Sequence, residues 1–263
     1  MTFLPPLYYQ PRSALDPAAA GNDAATTAWV NAVVADGGAV SGTQTGRVNT
    51  LIVALKAASL FTGHVWLYGG ESDVSQAEID IIGLTHHTVN GGMTLAAGGY
   101  TGNGTTGHID SGIAPNSESQ DSIAVGAYNR VAGAAGNATL MAITNAVTLV
   151  PGFAGAFAIT DLNDNAFGTV AGGSARLGRW IMSRTASNLI TLYKEGASVG
   201  TVASASNAPS ASNLFFFAEN NGAGGTDFSD DQIAATWIMP GRDATQSANF
   251  DAAISGYMTA WGI

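Results

Sequence analysis

Apolar and polar residues follow different rhythms along this chain, and each rhythm marks a region. Residues 1–22 have no periodicity. Pro5, Pro6, Pro11 and Pro17 forbid regular helix or a central strand, while Leu4, Leu7, Tyr8 and Tyr9 offer apolar surface. Such a segment either frays or docks on a partner, and a docking arm acting through Leu4, Leu7, Tyr8 and Tyr9 is expected here. Residues 23–90 carry helical spacing. Asp23 can cap a segment with Trp29, Val30, Val33 and Val34, stopped by Gly37 and Gly38. Ser41 and Gln44 form a capping-box pattern ahead of Val48, Leu51, Ile52 and Leu55. HVWLY, His64 to Tyr68, reads as a strand, and Ser75 with Glu78 predicts a cap before a short helix through Ile79 and Ile82.

From residue 91 to 263 the period changes to two. Ile123, Val125 and Ala127 share a face; Phe153, Gly155, Phe157 and Ile159 predict one strand; Ile233, Ala235 and Trp237 predict another face. Leu189 to Tyr193 is apolar on both faces. Asn-Gly pairs at Asn90-Gly91, Asn103-Gly104 and Asn221-Gly222 mark hairpins, since both residues tolerate positive φ. Short strands between such turns indicate an antiparallel sandwich or barrel. Phe250, Ala253, Ile254, Tyr257, Met258 and Trp261 then form a helical stripe with Gly262 as its stop, predicting a C-terminal helix that packs on its own fold. Phe215, Phe216 and Phe217 are consecutive, so a strand there must be covered on both sides. The loop that follows, with Glu219, Asn220 and Asn221, is where recognition would sit.

Composition narrows the function. Charged residues are only 11% of the chain, against roughly 25% in an average soluble protein. Gly, Ala, Ser, Thr and Asn fill their place, as in β-rich surface proteins with many turns. The net charge of −10 would repel phosphates, so no nucleic-acid partner is expected. No apolar run approaches the roughly 20 residues of a membrane span, and the start lacks a secretory pattern. The absence of cysteine excludes disulfides and thiolate chemistry. His86 and His87, adjacent on a strand, would point to opposite faces, and His108 is distant, so no metal site is expected. No serine sits in a nucleophile elbow, and the glycine-rich stretches lack phosphate-binding spacing.

Two segments go beyond pattern. GGYTGNGTTGHIDSGIAP, Gly98 to Pro115, and Arg179 to Ile238, containing ITLYKEGASVG and FSDDQIAA, resemble proteins of tailed phages and prophages. The resemblance implies a concanavalin A-like (laminin-G-like) jelly roll on a virion surface component. The expected fold is therefore mainly β, a concanavalin A-like jelly-roll sandwich with an N-terminal extended arm, short N-terminal helices and a C-terminal helix. Its expected divisions are a 1–22 arm, a 23–90 helical linker region and a 91–263 lectin-like domain.

The resemblance also frames the chemistry. Glucanases of this fold carry three alternating carboxylates, and the nearest match, Glu71-Ser72-Asp73-Val74-Ser75, lacks the third. The expectation is a protein that is not an enzyme. Asp161, Asn163 and Asn165 imitate the start of a calcium loop that then fails at Ala166 and Gly172. A looser calcium site from Asp161, Asp164, Asp227, Asp230 or Asp231 is the one cofactor left open. Tyr128 and Asn129, with Glu219, Asn220 and Asn221, supply the aromatic and polar groups of a glycan site; Trp180 reads as core. The expected role is a tail-fibre or receptor-binding protein on the virion surface, attached to other virion proteins by its arm and facing host polysaccharide. It would be a homo-oligomer, a trimer by analogy with fibres. A capsid-decoration protein is the first alternative, and a polysaccharide-cleaving glycosidase the second.

Overall fold

A computed structural model of the protein describes residues 21–134, 139–173 and 175–263. The arm residues Leu4, Leu7, Tyr8 and Tyr9 lie outside the described residues. Among the described residues four α-helices occur: α1 (Ala24–Ala35), α2 (Gly42–Ala57), α3 (Val74–Glu78) and α4 (Ala244–Ala260). The strands, in chain order, begin with β1 (His64–Leu67), β2 (Thr88–Asn90), β3 (Thr94–Ala96), β4 (Gly99–Thr101), β5 (His108–Asp110) and β6 (Ile123–Val131). They continue with β7 (Met141–Ile143), β8 (Val147–Phe153), β9 (Phe157–Leu162), β10 (Gly168–Val170), β11 (Gly178–Ala186) and β12 (Leu189–Lys194). The last five are β13 (Ala197–Ala203), β14 (Phe215–Phe216), β15 (Glu219–Asn220), β16 (Gly225–Thr226) and β17 (Gln232–Met239). No helix among these residues is long and apolar enough to cross a membrane.

Two largely antiparallel sheets face each other as a jelly-roll sandwich. The first has the order β13-β12-β11-β6-β17-β4-β3, with β1 lying beside β17. The second runs β10-β9-β8-β7-β14-β5-β2, with the small β15–β16 hairpin attached to β7. Strand alternation fills the space between them: Ile123, Val125 and Ala127 from β6 meet Met141, Val147 and Leu149 from the other sheet. Trp180 is fully buried there. β1 and β2 precede residue 91, so strands of both sheets interleave with the helices in sequence.

A third layer covers the outer face of the first sheet. Ala124, Ile181, Tyr193, Ala235, Trp237 and Met239 point outward from it and are buried under Trp29, Val33, Leu51, Leu55, Phe250 and Ile254 of the helices. We call this the covered sheet and its partner the open sheet. The helix starts follow their expected chemistry. Asp23 accepts from the Ala25 amide, Ser41 accepts from the Gln44 amide, and Asp243 with Gln246 forms a full capping box on α4. The cap of α3 is Asp73, not Ser75; the Asp73 carboxylate accepts from the Gln76 amide at 3.0 Å and leaves Ser75 inside the helix.

Three strand expectations are corrected by local irregularities. Phe153 to Ile159 is not one strand. A turn with Ala154 at φ 50° and Gly155 at 69° folds it into the β8–β9 hairpin, pairing Phe153 with Phe157. Ile233, Ala235 and Trp237 do not share a face, because a register shift between Ile233 and Ala235 sends Ile233 inward and the other two outward. The triple-phenylalanine strand ends after two residues, since Phe217 takes φ 67°. β14 is indeed central, between β5 and β7, but Phe215 is covered on its outer side by the His108 ring, stacked at 4.6 Å. One glycine is required by close approach. A Cβ on Gly126 would come within 2.3 Å of the indole nitrogen of its cross-strand partner, Trp237.

Candidate functional site

The outer face of the open sheet carries a groove of about 150 Å³. Its floor follows from period two: Met141, Val147 and Leu149 point to the core, so Ala142, Thr148 and Val150 point out. Ile159 of β9 continues that floor. Phe153, at the β8–β9 hairpin, and Phe167, in the loop before β10, form aromatic walls. Phe167 is 61% exposed, a cost in water that a ligand's apolar face would relieve. Glu219 of β15 and Asp227, just beyond β16, supply carboxylates, and Thr139 and Thr148 supply hydroxyls. The Thr144 hydroxyl donates to the Glu219 carboxylate and fixes its orientation. Asp227 reaches the groove from a left-handed backbone, φ 49°. The volume lies below the ~300 Å³ at which sites for drug-sized ligands begin, so the groove accepts about one ring.

Of the residues the sequence offered for glycan binding, the structure brings only Glu219 to this groove. Asn220 is a structural residue: its amide donates to the Asn213 carbonyl at 2.8 Å, and its oxygen accepts from the Gly222 amide at 2.9 Å. Asn221 is exposed in the adjoining turn and accepts from the Ala223 amide. Tyr128 and Asn129 belong to the other sheet. The Tyr128 ring lies 5.6 Å from the Arg179 guanidinium, itself paired with Asp251 of α4 at 2.7 Å. Asn129 is fully buried and donates to Asp231 at 2.6 Å and to the Arg176 carbonyl at 3.2 Å. Sequence reasoning missed Phe153, Phe167 and Thr148. Phe167, a lone aromatic in the turn-forming stretch DLNDNAFG, was the available signal.

The five acids offered for calcium occupy three places. Asp230 and Asp231 flank the Arg176 guanidinium at 3.5 and 2.6 Å. Asp227 lines the groove. Asp161 and Asp164 lie together at the end of β9, where Asp164 pairs with the buried Arg184 at 3.3 Å. Burial, reinforced by the neighbouring Asp164, pushes the Asp161 carboxyl up to about 9. Asp161 therefore holds its proton at neutral pH.

A second groove lies between α2 and α4. It is lined mainly by Leu51, Ala54, Ala253 and Gly256, and the Tyr257 hydroxyl at its base is already bonded to Gln44 and to the Gly69 carbonyl. Its other polar side chains are engaged locally: the Arg47 guanidinium lies over the Trp261 ring at 3.8 Å, and the Thr50 hydroxyl donates to the Gly46 carbonyl at 2.9 Å.

No family model matches the chain, and no match was found among curated proteins. Solved structures do match. A mutant Trypanosoma rangeli sialidase displaying trans-sialidase activity aligns with a TM-score of 0.54 at 8% identity, over 81% of this chain and 40% of its own. The botulinum neurotoxin serotype D binding domain aligns at 0.50 and 10% identity, over 73% and 52%. A type C botulinum neurotoxin, whose cell entry depends on two ganglioside molecules, aligns at 0.51 and 11%, over 75% and 53%. The chain thus spans about two fifths of the sialidase and about half of each toxin chain. At these identities the likeness is one of fold, the jelly-roll sandwich. It also corrects the expectation that the protein is not an enzyme. Sialidases stand among the proteins that share its architecture, so a missing catalytic motif no longer argues against catalysis.

Proposed function

We propose that the open-sheet groove binds saccharide and that the chain is a lectin-like recognition module. The observation that carries this reading is the convergence of Phe153 and Phe167 with Glu219, Asp227, Thr139 and Thr148 around one ring-sized space. Sugars ask for that combination, since their C–H faces stack on aromatic rings while their hydroxyls bond to carboxylates and hydroxyls. The neighbours support it: one sialidase is complexed with sialic acid, and the type C toxin interacts with gangliosides. Two carboxylates in the groove, on a chain of net charge −10, favour a neutral sugar over an anionic one. The resemblance of Gly98–Pro115 and Arg179–Ile238 to tailed-phage proteins supports a virion-surface setting, a tail fibre or similar attachment protein held by its N-terminal arm. A glycan array probed with the full chain tests the reading. Selective signal on neutral glycans, lost in Phe167→Ala with an unchanged melting temperature, is expected. Silence across the array would overturn it and leave a particle-decorating role.

A second reading, glycoside hydrolysis, rests on a specific pairing. Glu219 stands opposite Thr226 across the β15–β16 hairpin, and Asp227 is the next residue. Two carboxylates are thus presented to one groove, as hydrolysis of a glycosidic bond requires. Release of reducing ends from a bound polysaccharide, abolished by both Glu219→Gln and Asp227→Asn, would establish it; binding without release would refute it.

A further inference from the structure

The most suggestive constellation outside the groove lies where the helices meet the sandwich. Asp36 caps the C-terminus of α1, Glu78 is the last residue of α3, and His86 sits in the short bridge that returns toward β2. The His86 Nε2 is 3.0 Å from a Glu78 carboxylate oxygen and 3.5 Å from one of Asp36, and the three ligand atoms all lie within 4.8 Å of one another. Around a tetrahedral zinc ion with bonds of roughly 2.0–2.2 Å, donor atoms stand roughly 3.3 Å apart. The observed spacings need only small side-chain adjustments to reach that arrangement.

The backbone holds these groups in place. Ile79 pairs with His86 as an antiparallel bridge, and the His87 amide donates to the Glu78 carbonyl at 3.0 Å, so Glu78 and His86 are locked side by side. The intervening loop is fixed by the buried Asp80, whose carboxylate accepts from the amides of Ile82, Gly83 and Thr85. Asp36 is brought in by α1, whose end accepts a bond from the Ser75 hydroxyl at 3.4 Å. The adjacent histidines do point apart: His87 is buried against Tyr68 and Tyr100, while the His86 side chain remains 44% exposed.

We propose that Asp36, Glu78 and His86 form a site for a zinc-class divalent cation. One imidazole and two carboxylates suit zinc better than magnesium or calcium, which prefer all-oxygen shells. With three protein ligands, a fourth position remains for water on the solvent side. The ion would bridge chain segments 42 and 50 residues apart in sequence, clamping α1 and α3 to the edge of the sandwich.

Titration calorimetry and thermal melts on the full, metal-free chain test the proposal, using zinc chloride with magnesium chloride as control. One equivalent of zinc should bind and raise the melting temperature, with no response to magnesium. Asp36→Asn and His86→Gln should each weaken zinc binding at least tenfold while melting normally without metal, and His108→Gln should bind as the parent does. Cobalt should give a visible absorption band that His86→Gln lacks. Equal zinc responses in parent, Asp36→Asn and His86→Gln, or no saturable binding at millimolar zinc, would overturn the site.

Discussion

The two sheets begin from the same alternating pattern and end with different outer surfaces. On the covered sheet, Ala124, Ile181, Tyr193, Ala235, Trp237 and Met239 make the outer face largely apolar, and three helices close over it. On the open sheet the groove-lining positions are mixed: Ala142, Thr148, Val150 and Ile159 stand beside Glu219 and Asp227, and loops border them instead of helices. An apolar face left in water would cost about 25 cal/mol for each Å² exposed, so the first needs a lid. The mixed face has hydroxyls and carboxylates to share with a ligand. Stability and recognition are thus divided between the two outer surfaces.

The sharpest way to break this division is Trp237→Ala. Its side chain fills the seam between the covered sheet and α4, with the Phe250 ring 5.2 Å away. A loss of about 3–5 kcal/mol is expected in urea unfolding. The next effect lies in the core that both sheets share. Burial lowers the His87 imidazole to about 3, so the unfolded chain binds a proton between pH 6.5 and 3 that the native state refuses. Stability should therefore fall by about 2 kcal/mol as pH drops from 6.5 to 5, and His87→Leu should flatten that profile. On the open sheet, Asp161 has the opposite sign. Its raised carboxyl stays protonated in the native state while the unfolded chain ionises near pH 4, so its contribution is lost as pH rises toward 9. Asp161→Asn should raise the melting temperature by a few degrees at pH 8 and leave it unchanged at pH 4. The smallest change in stability is Phe167→Ala, within about 0.5 kcal/mol because the ring is mostly exposed, yet it should remove saccharide binding. A destabilisation comparable to that of Trp237→Ala would show that the two faces are not divided in this way.

Much of the fold was legible because its signals are local. Asp23 and Ser41 act within a few residues, and the buried stripe of Phe250, Ile254, Tyr257 and Met258 declares its own period. Of the three Asn-Gly pairs expected to mark hairpins, Asn221-Gly222 does so between β15 and β16, whereas Asn90-Gly91 and Asn103-Gly104 carry the chain from one sheet to the other. Errors arose where a single residue resets the count. The shift after Ile233 and the left-handed Phe217 each invert what alternation assigns. The groove was less legible, since Phe153, Phe167, Glu219 and Asp227 come from three separate segments, the β8–β9 hairpin, the loop before β10 and the β15–β16 hairpin, which sheet pairing through β7, β8 and β9 brings together. Turn-rich surroundings pointed to Glu219, which lines the groove. Asn129 misled because polarity at a strand end also serves burial, here by bonding Asp231.

The hydrogen bond between Gln44 and Tyr257, 3.0 Å long, joins residues 213 positions apart. During synthesis α1 and α2 emerge well before β17 and α4, so Trp29, Val33, Leu51 and Ile52 wait for the later segments that complete their cluster. A nascent chain of this design keeps an apolar surface uncovered until β17 and α4 have been made. Its final docking step is the closure of a very long loop, and its maturation should be correspondingly slow.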